Sequence, residues 1–259
     1  MKLRRLFIAI TFALTPAILE AQEISIGNDQ NTPIEERIIY SHESTLHATL
    51  HTQGFGFGFR WGKIRSIYKT TGWNVEFSYL HSLKQIRIIT GNYFSTSSFV
   101  FGKLNEALLL RGGYHVERRI YGKPYWGGVE LRWAYEFGAT AAFLKPYYYN
   151  VLVVETTATG EYVAVEKRQT FDQYENWLDI YGRAPFSYGL NETKIRPGIY
   201  VKGGLSFEIG TSSTRAQAIE VGAVAEYFPQ GLELMAENPK QPFFLTLYLS
   251  YNWGSRYNK

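Results

Sequence analysis

Residues 196–210, RPGIYVKGGLSFEIG, sort into two unlike sets. Pro197, Ile199, Val201, Gly203, Leu205, Phe207 and Ile209 fall on one side; Arg196, Gly198, Tyr200, Lys202, Gly204, Ser206 and Glu208 fall on the other. Successive side chains of a strand point to opposite faces. A period of two therefore predicts a strand with one apolar and one charged face, and it argues against a helix.

The pattern recurs along the chain. GFGFGFRW (54–61) sets Phe55, Phe57, Phe59 and Trp61 against glycines and Arg60. WNVEFSY (73–79), LLLRGGYHVE (108–117), VELRWAYEF (129–137), AIEVGAVAEYF (218–228) and FFLTLYLSYNW (243–253) alternate in the same way. FVFGKL (99–104) and ATAAFLKPYYY (139–149) keep a strand composition with weaker alternation. No stretch shows a helical period, so the chain is all-β.

What the apolar faces meet follows from the polar ones. Those carry Glu76, Glu117, Glu130, Glu136, Glu208, Glu220 and Glu226 against Arg60, Lys103, Arg111, Arg132, Lys145 and Lys202, spaced by Gly, Ser and Tyr. A soluble sheet would show a denser, Lys-rich outer face. A sparse face of balanced sign suits the inside of a narrow barrel, where opposite charges pair. The expected fold is a transmembrane antiparallel up-and-down β-barrel with lipid outside. Glu76, Arg111, Glu117, Glu130, Arg132, Glu136, Lys202, Glu208, Glu220 and Glu226 are its expected lumen charge network. The chain holds 20 Tyr, 17 Phe and 6 Trp. Trp61, Trp73, Trp126, Tyr147, Tyr251 and Trp253 lie near strand ends, as the interfacial aromatics of a membrane barrel should.

The beginning agrees with export. MKLRRLFIAITFALTPAILEA has the order of a secretory signal peptide, basic, then apolar, then Ala21 before a polar run. Leu19 at the −3 position is a weak cleavage signal, which keeps Ala17 as an alternative. Pro16 and Glu20 cut the apolar stretch short of the ~20 residues a helical span requires. The expected organisation is a signal peptide over 1–21 and one barrel domain over 22–259. There is no cysteine, which excludes disulfides, thiolate metal sites and a lipid-modified Cys. A net charge of +4 does not point to nucleic acid.

Topology follows from parity, with both termini in the periplasm. If 243–253 runs inward, 229–241 is extracellular, 210–214 is a periplasmic turn and 155–194 is a long extracellular loop. The same register puts turns at 104–107 and 136–138 on the periplasmic side and makes 46–61 one strand. A further strand over 35–42, turning at 43–45, is then required. The count is about ten strands, with eight as the alternative if weak pairs merge.

LHTQGFGFGFRWGK (50–63), FGKLNEALLLRGGY (101–114), KPYWGGVELRWAYEFG (123–138), LKPYYY (144–149), RPGIYVKGGLSFEIG (196–210) and FFLTLYLSYNWGSRY (243–257) together resemble a family of small, largely uncharacterised outer-membrane β-barrel proteins of Bacteroidota. The resemblance covers most of the mature chain and implies an outer-membrane barrel, but no activity. The final YNK departs from many outer-membrane proteins in lacking a terminal aromatic residue; Tyr257 is the nearest.

Signs of chemistry are sparse. His47 and His51 would share a strand face roughly 13 Å apart, too far for one metal ion. His115 lies with Arg111 and Glu117 on one face, which reads as a salt-bridge network, because no serine is tied to it. The glycine pairs at 112–113, 127–128 and 203–204 precede no helix and do not read as a phosphate cradle. The expected partners are outer-membrane lipid and other envelope proteins, with no cofactor and no nucleic acid. In the loop, FDQYENWLDIYGRAPFSYGL (171–190) offers Tyr174, Trp177 and Tyr181 as contact residues, or folds back as a lid. The expected function is a non-enzymatic barrel serving an envelope assembly, secretion or uptake machine in the bacterial outer membrane. The alternatives are a narrow channel and, after that, a barrel enzyme acting on lipid or peptide.

Overall fold

The computed structural model describes residues 40–258 except 90–97, 124–127, 157–159, 161, 172–179, 210–213 and 237. The strands are β1 (His42–His51), β2 (Gly54–Ser66), β3 (Lys69–Leu80), β4 (Arg87–Ile89), β5 (Ser98–Val100), β6 (Asn105–Tyr121), β7 (Glu130–Pro146), β8 (Tyr148–Thr156), β9 (Tyr162–Thr170), β10 (Ile180–Arg183), β11 (Lys194–Glu208), β12 (Arg215–Leu232) and β13 (Gln241–Tyr257). Eight of them close a barrel in the order β1-β13-β12-β11-β7-β6-β3-β2, every neighbour antiparallel. β1 seals it against β13, from His42 opposite Tyr257 to His51 opposite Tyr248.

The two faces divide as the alternation requires. Phe55, Phe57, Phe59, Val75, Phe77, Ile199, Val201, Leu245, Leu247 and Leu249 are exposed outside. Tyr200, Lys202, Ser206 and Glu208 are buried inside. An exterior this apolar suits lipid and is poorly hydrated by water.

Eight strands rather than ten is a correction with four local causes. The span 46–61 is two strands, broken at Thr52–Gln53. That turn has no Gly, Asn or Pro at its centre; the adjustment falls on Gly54 at φ 150°. A Cβ there would lie 2.0 Å from the Tyr79 carbonyl oxygen. Of the strand expected over 35–42, residues 35–39 lie outside the described residues; 42–51 is itself a barrel strand, paired on both sides with β2 and β13, and the expected turn at 43–45 lies within it. Residues 129–137 and 139–149 join through Gly138, which stays extended inside β7, paired with Gly113 and Tyr200. Finally, 98–100 pairs only with β4, outside the barrel wall. The expected turn at 104–107 is the start of β6, at the long-loop rim.

Tyr40 and Asn258, the first and last described residues, mark one rim, the chain-end rim, together with the β2–β3, β6–β7 and β11–β12 strand ends; the β1–β2, β3–β6, β7–β11 and β12–β13 strand ends mark the other, the long-loop rim. An apolar cluster fills the barrel at this second, long-loop rim. Leu80, Leu109, Ala142, Leu144, Phe228, Leu232 and Phe244 come from the wall, and Val100, Leu234 and Met235 from the connections above it. Those connections are tied together: the Leu104 and Ala236 amides donate to the Leu234 and Gly102 carbonyls at 3.0 and 2.8 Å.

Gly138 offers a test of this packing. A Cβ there would stand 2.2 Å from the Gly112 carbonyl oxygen, a backbone atom that cannot swing away. Gly138→Val should therefore lower stability by about 1–3 kcal/mol. Gly203 faces outward with nothing within 4 Å of a built Cβ. Gly203→Ala should change stability by no more than about 0.5 kcal/mol. The temperature at which the compact gel band is lost measures both.

Candidate functional site

Below the apolar cap the lumen is filled by a lattice of ion pairs contributed by all eight barrel strands. Near the cap, Glu76 on β3 meets Arg111 of β6 at 2.5 Å, Lys202 of β11 at 3.0 Å and His47 of β1 at 3.3 Å. Arg111 crosses to Glu226 on β12 at 2.9 Å. At mid-height Arg60 on β2 joins Glu117 at 3.0 Å and Glu220 at 3.3 Å. His115 lies 3.0 Å from Glu117 and 3.6 Å from Glu136. Asn74 and Tyr200 donate to Glu136, and Tyr248 donates to Glu220 at 2.6 Å. Toward the chain-end rim Arg132 holds Glu117, Glu130 and Glu208 at 3.1, 2.7 and 2.8 Å, and Arg256 on β13 joins Glu208 to Glu43.

All ten residues expected to form a lumen network thus lie inside, each on an inward position of its strand. Lys202 pairs with Glu76 and stacks over Tyr248 at 4.5 Å, rather than with the acids of its own strand and the next. Lys103 and Lys145, which the polar faces also suggested for the lumen, stand outside it: Lys145 points outward from the end of β7, and Lys103 bridges to Met235 at the rim. Glu43 and Arg256 were missed, because both lie beyond the stretches whose alternation is clean. A gap near the chain-end rim, bordered by Glu43, Arg60, Glu117 and Arg132, is about 20 Å³. That is room for about one water molecule.

Trp61, Trp73, Tyr251 and Trp253 are exposed on the outer wall toward the chain-end rim, with Trp61 and Trp73 directly paired across β2 and β3. Tyr147 is a correction to the interfacial set. It is 3% exposed and packs at 4.8 Å edge-on to Tyr149, because the chain beyond it doubles back and covers it. Trp126 lies outside the described residues.

What covers Tyr147 is a second sheet, β10-β8-β9, built on the long-loop rim. Its inner face joins Phe99, Tyr147, Tyr149, Val151 and Ile180 in one cluster. The Tyr149 hydroxyl pins the 81–104 connection, lying 2.6 Å from the Val100 carbonyl and accepting from the Lys103 amide at 2.9 Å. Burial pushes that hydroxyl above the ordinary tyrosine range. Farther out, β8 and β9 leave the wall as a hairpin exposed on both faces; Val154 is 65% and Tyr162 80% exposed. Tyr174 and Trp177 lie outside the described residues, as does the side chain of Tyr181, whose backbone is in β10. The sequence marked this region as a loop; strands within it went unrecognised because their alternation is short and both faces are mixed.

The lumen histidines are structural in their contacts. His47 and His115 are 1% and 2% exposed, each closed in by carboxylates. His51 meets Ser78 at 2.8 Å, but that serine is fully buried in the wall. Among the described residues, no group of three or more His, Asp or Glu is placed to hold a metal ion.

No family model matches the chain, and no curated protein does. Solved structures similar to it include Neisserial surface protein A, at 11% identity and a TM-score of 0.38 over 84% of this chain and 97% of that one. The N-terminal β-barrel domain of Pseudomonas aeruginosa OprF aligns at 11% identity and a TM-score of 0.32, over 82% and 97%. Ail, the attachment invasion locus protein of Yersinia pestis, aligns at 9% and 0.30, over 84% and 99%. Likeness at this level carries no function across.

Proposed function

We propose that this chain is a non-enzymatic barrel of the bacterial outer membrane that works by contact at its long-loop rim, as an accessory or scaffold of an envelope assembly, secretion or uptake machine. The observation that carries the reading is the filled interior. With the lumen closed by a charge lattice and an apolar cap, the barrel offers its partners only its lipid-facing wall and its rims. Of the rims, one bears the short β2–β3 turn and the first and last described residues; the other carries the second sheet. Short periplasmic turns opposite long extracellular connections are the habit of such barrels, so the second sheet would face outward from the cell, after removal of the signal peptide over 1–21.

The hairpin supports the same reading. A strand pair whose outer part leaves apolar side chains such as Val154 and Tyr162 exposed is more often an interface than a stable free surface. The contact candidates Tyr174, Trp177 and Tyr181 belong to the same connection. Changing these three to alanine together with Tyr162→Ala should release envelope proteins that co-purify in mild detergent, while the barrel keeps its compact gel band. Aromatic anchors usually dominate such contacts. Partners retained by this variant, or a lipid profile that changes in His115→Ala cells, would sink the scaffold reading and favour a barrel enzyme.

A further inference from the structure

On the outer wall at the long-loop rim, three cations converge on a single carboxylate. Glu106 opens β6 and faces Lys145 of β7 directly across the strands. Its Oε1 lies 3.0 Å from Arg183 of β10 and 3.6 Å from Lys103; its Oε2 lies 3.4 Å from Lys145. Lys103, Glu106 and Lys145 are 3%, 2% and 4% exposed, whereas the Arg183 side chain is 40% exposed. Among the described residues, Glu106 is the one acid paired with any of the three cations. The aromatic neighbours add no negative charge: Lys103 sits over the Tyr79 and Tyr147 rings at 5.6 and 5.2 Å, Arg183 over Tyr147 at 5.5 Å, and Lys145 over Phe186 at 4.6 Å.

Three positive groups against one negative leave an excess of about two charges in a largely dry place, which is costly unless an anion completes it. Burial holds the Lys103 ammonium below its ordinary range, and Arg183 and Arg87 push it the same way against Glu106. The level in the wall says what the anion is attached to. Directly below Glu106 and Lys145 on the same outer face stand Leu108 opposite Phe143, then Leu110 opposite Ala141. A charged head at the cluster would have its apolar body against that column.

We propose that Lys103, Lys145 and Arg183 form a binding site for the phosphate group of a membrane lipid at the barrel rim. Phosphate suits the site better than a carboxylate. Its tetrahedral oxygens can meet cations arriving from three directions, its charge of up to two matches the excess, and Arg183 can hold two of those oxygens at once. The lipid carrier rests on the membrane reading above; the charge excess does not.

The test uses the full chain folded in uncharged detergent, titrated with short-chain phosphatidate, with phosphatidylcholine of the same chains, and with inorganic phosphate. Phosphatidate should bind about tenfold more tightly than phosphatidylcholine, and Lys145→Gln with Arg183→Gln should remove about that much, as lost charge-assisted contacts would. Glu106→Gln, which enlarges the excess, should tighten phosphatidate binding, a gain that a purely structural cluster would not show. Equal binding of the two lipids, or unchanged binding by the double variant, overturns the site. Inorganic phosphate binding as tightly as phosphatidate keeps the site but overturns the lipid carrier. A chain that stays folded in solution without detergent overturns the membrane reading, and the inorganic phosphate arm then decides the cluster by itself.

Discussion

Arg111→Ala should destabilise the barrel by about 3–5 kcal/mol, the scale for removing one partner of a buried ion pair. The Arg111 guanidinium lies 2.5 Å from Glu76 and 2.9 Å from Glu226 and is 1% exposed. Its loss strands Glu226 under the apolar cap and leaves Glu76 to Lys202 and His47, where water cannot reach the freed carboxylate without opening the cluster around Leu109 and Phe244. Lys202→Ala should act in the same direction through Glu76, which would keep Arg111 and His47 as partners. Leu249→Ala on the outer wall, like Leu205→Ala, exchanges one apolar surface for another in contact with lipid or detergent, and should matter much less. Urea unfolding of the detergent-folded protein, or the temperature at which its compact gel band converts, measures the order. Equal losses for Arg111→Ala and Leu249→Ala would contradict the energetic assignment of the two faces.

The purified protein should show no stable ion conductance in planar bilayers. Two barriers stand in series along the axis. The charge lattice leaves a gap of about 20 Å³ at its chain-end side, far below a continuous water path. Above it, Phe228, Phe244, Leu232 and Met235 close the lumen with side chains that cannot hydrate an ion. Narrow barrels fill their interior with side chains in this way, whereas conducting porins have about twice the strand number. Because the barriers are in series, Phe228→Ala with Phe244→Ala should not open a channel either; the lattice beneath would still hold. A steady open channel of porin size in the parent protein would overturn the closed-lumen reading and put passive transport ahead of contact at the rim.

How far the sequence could be read varies from element to element. Lys202 and Glu208 were placed inside, and Val201 and Phe207 outside, by alternation alone. Their neighbours in the lattice were not. Arg111 and Glu226 are 115 residues apart and touch only because the barrel is narrow enough for side chains to cross it. Glu106 and Lys145 are harder still. Both continue their strands to the rim, where the outer face meets Arg183 and Phe186 of the rim connections, so the rule that places charges inside no longer applies. Tyr147 failed as an interfacial aromatic for the same reason.

Period-two alternation is a property of one strand, set by the pleat and by the unlike surroundings of its faces. That is why the amino-acid order by itself determined an all-β barrel with an apolar wall and a charged interior. Strand number, the apolar cap, the partners within the lattice and the sheet on the rim were decided only in three dimensions. Whether Gly138 bends or passes straight through depends on the backbone of Gly112 and Gly113 beside it. Whether 98–100 joins the wall depends on β3 and β6 already pairing from Leu80 opposite Ala107 to Lys69 opposite Arg118. Closure is a condition on all eight strands at once, and no single segment carries it.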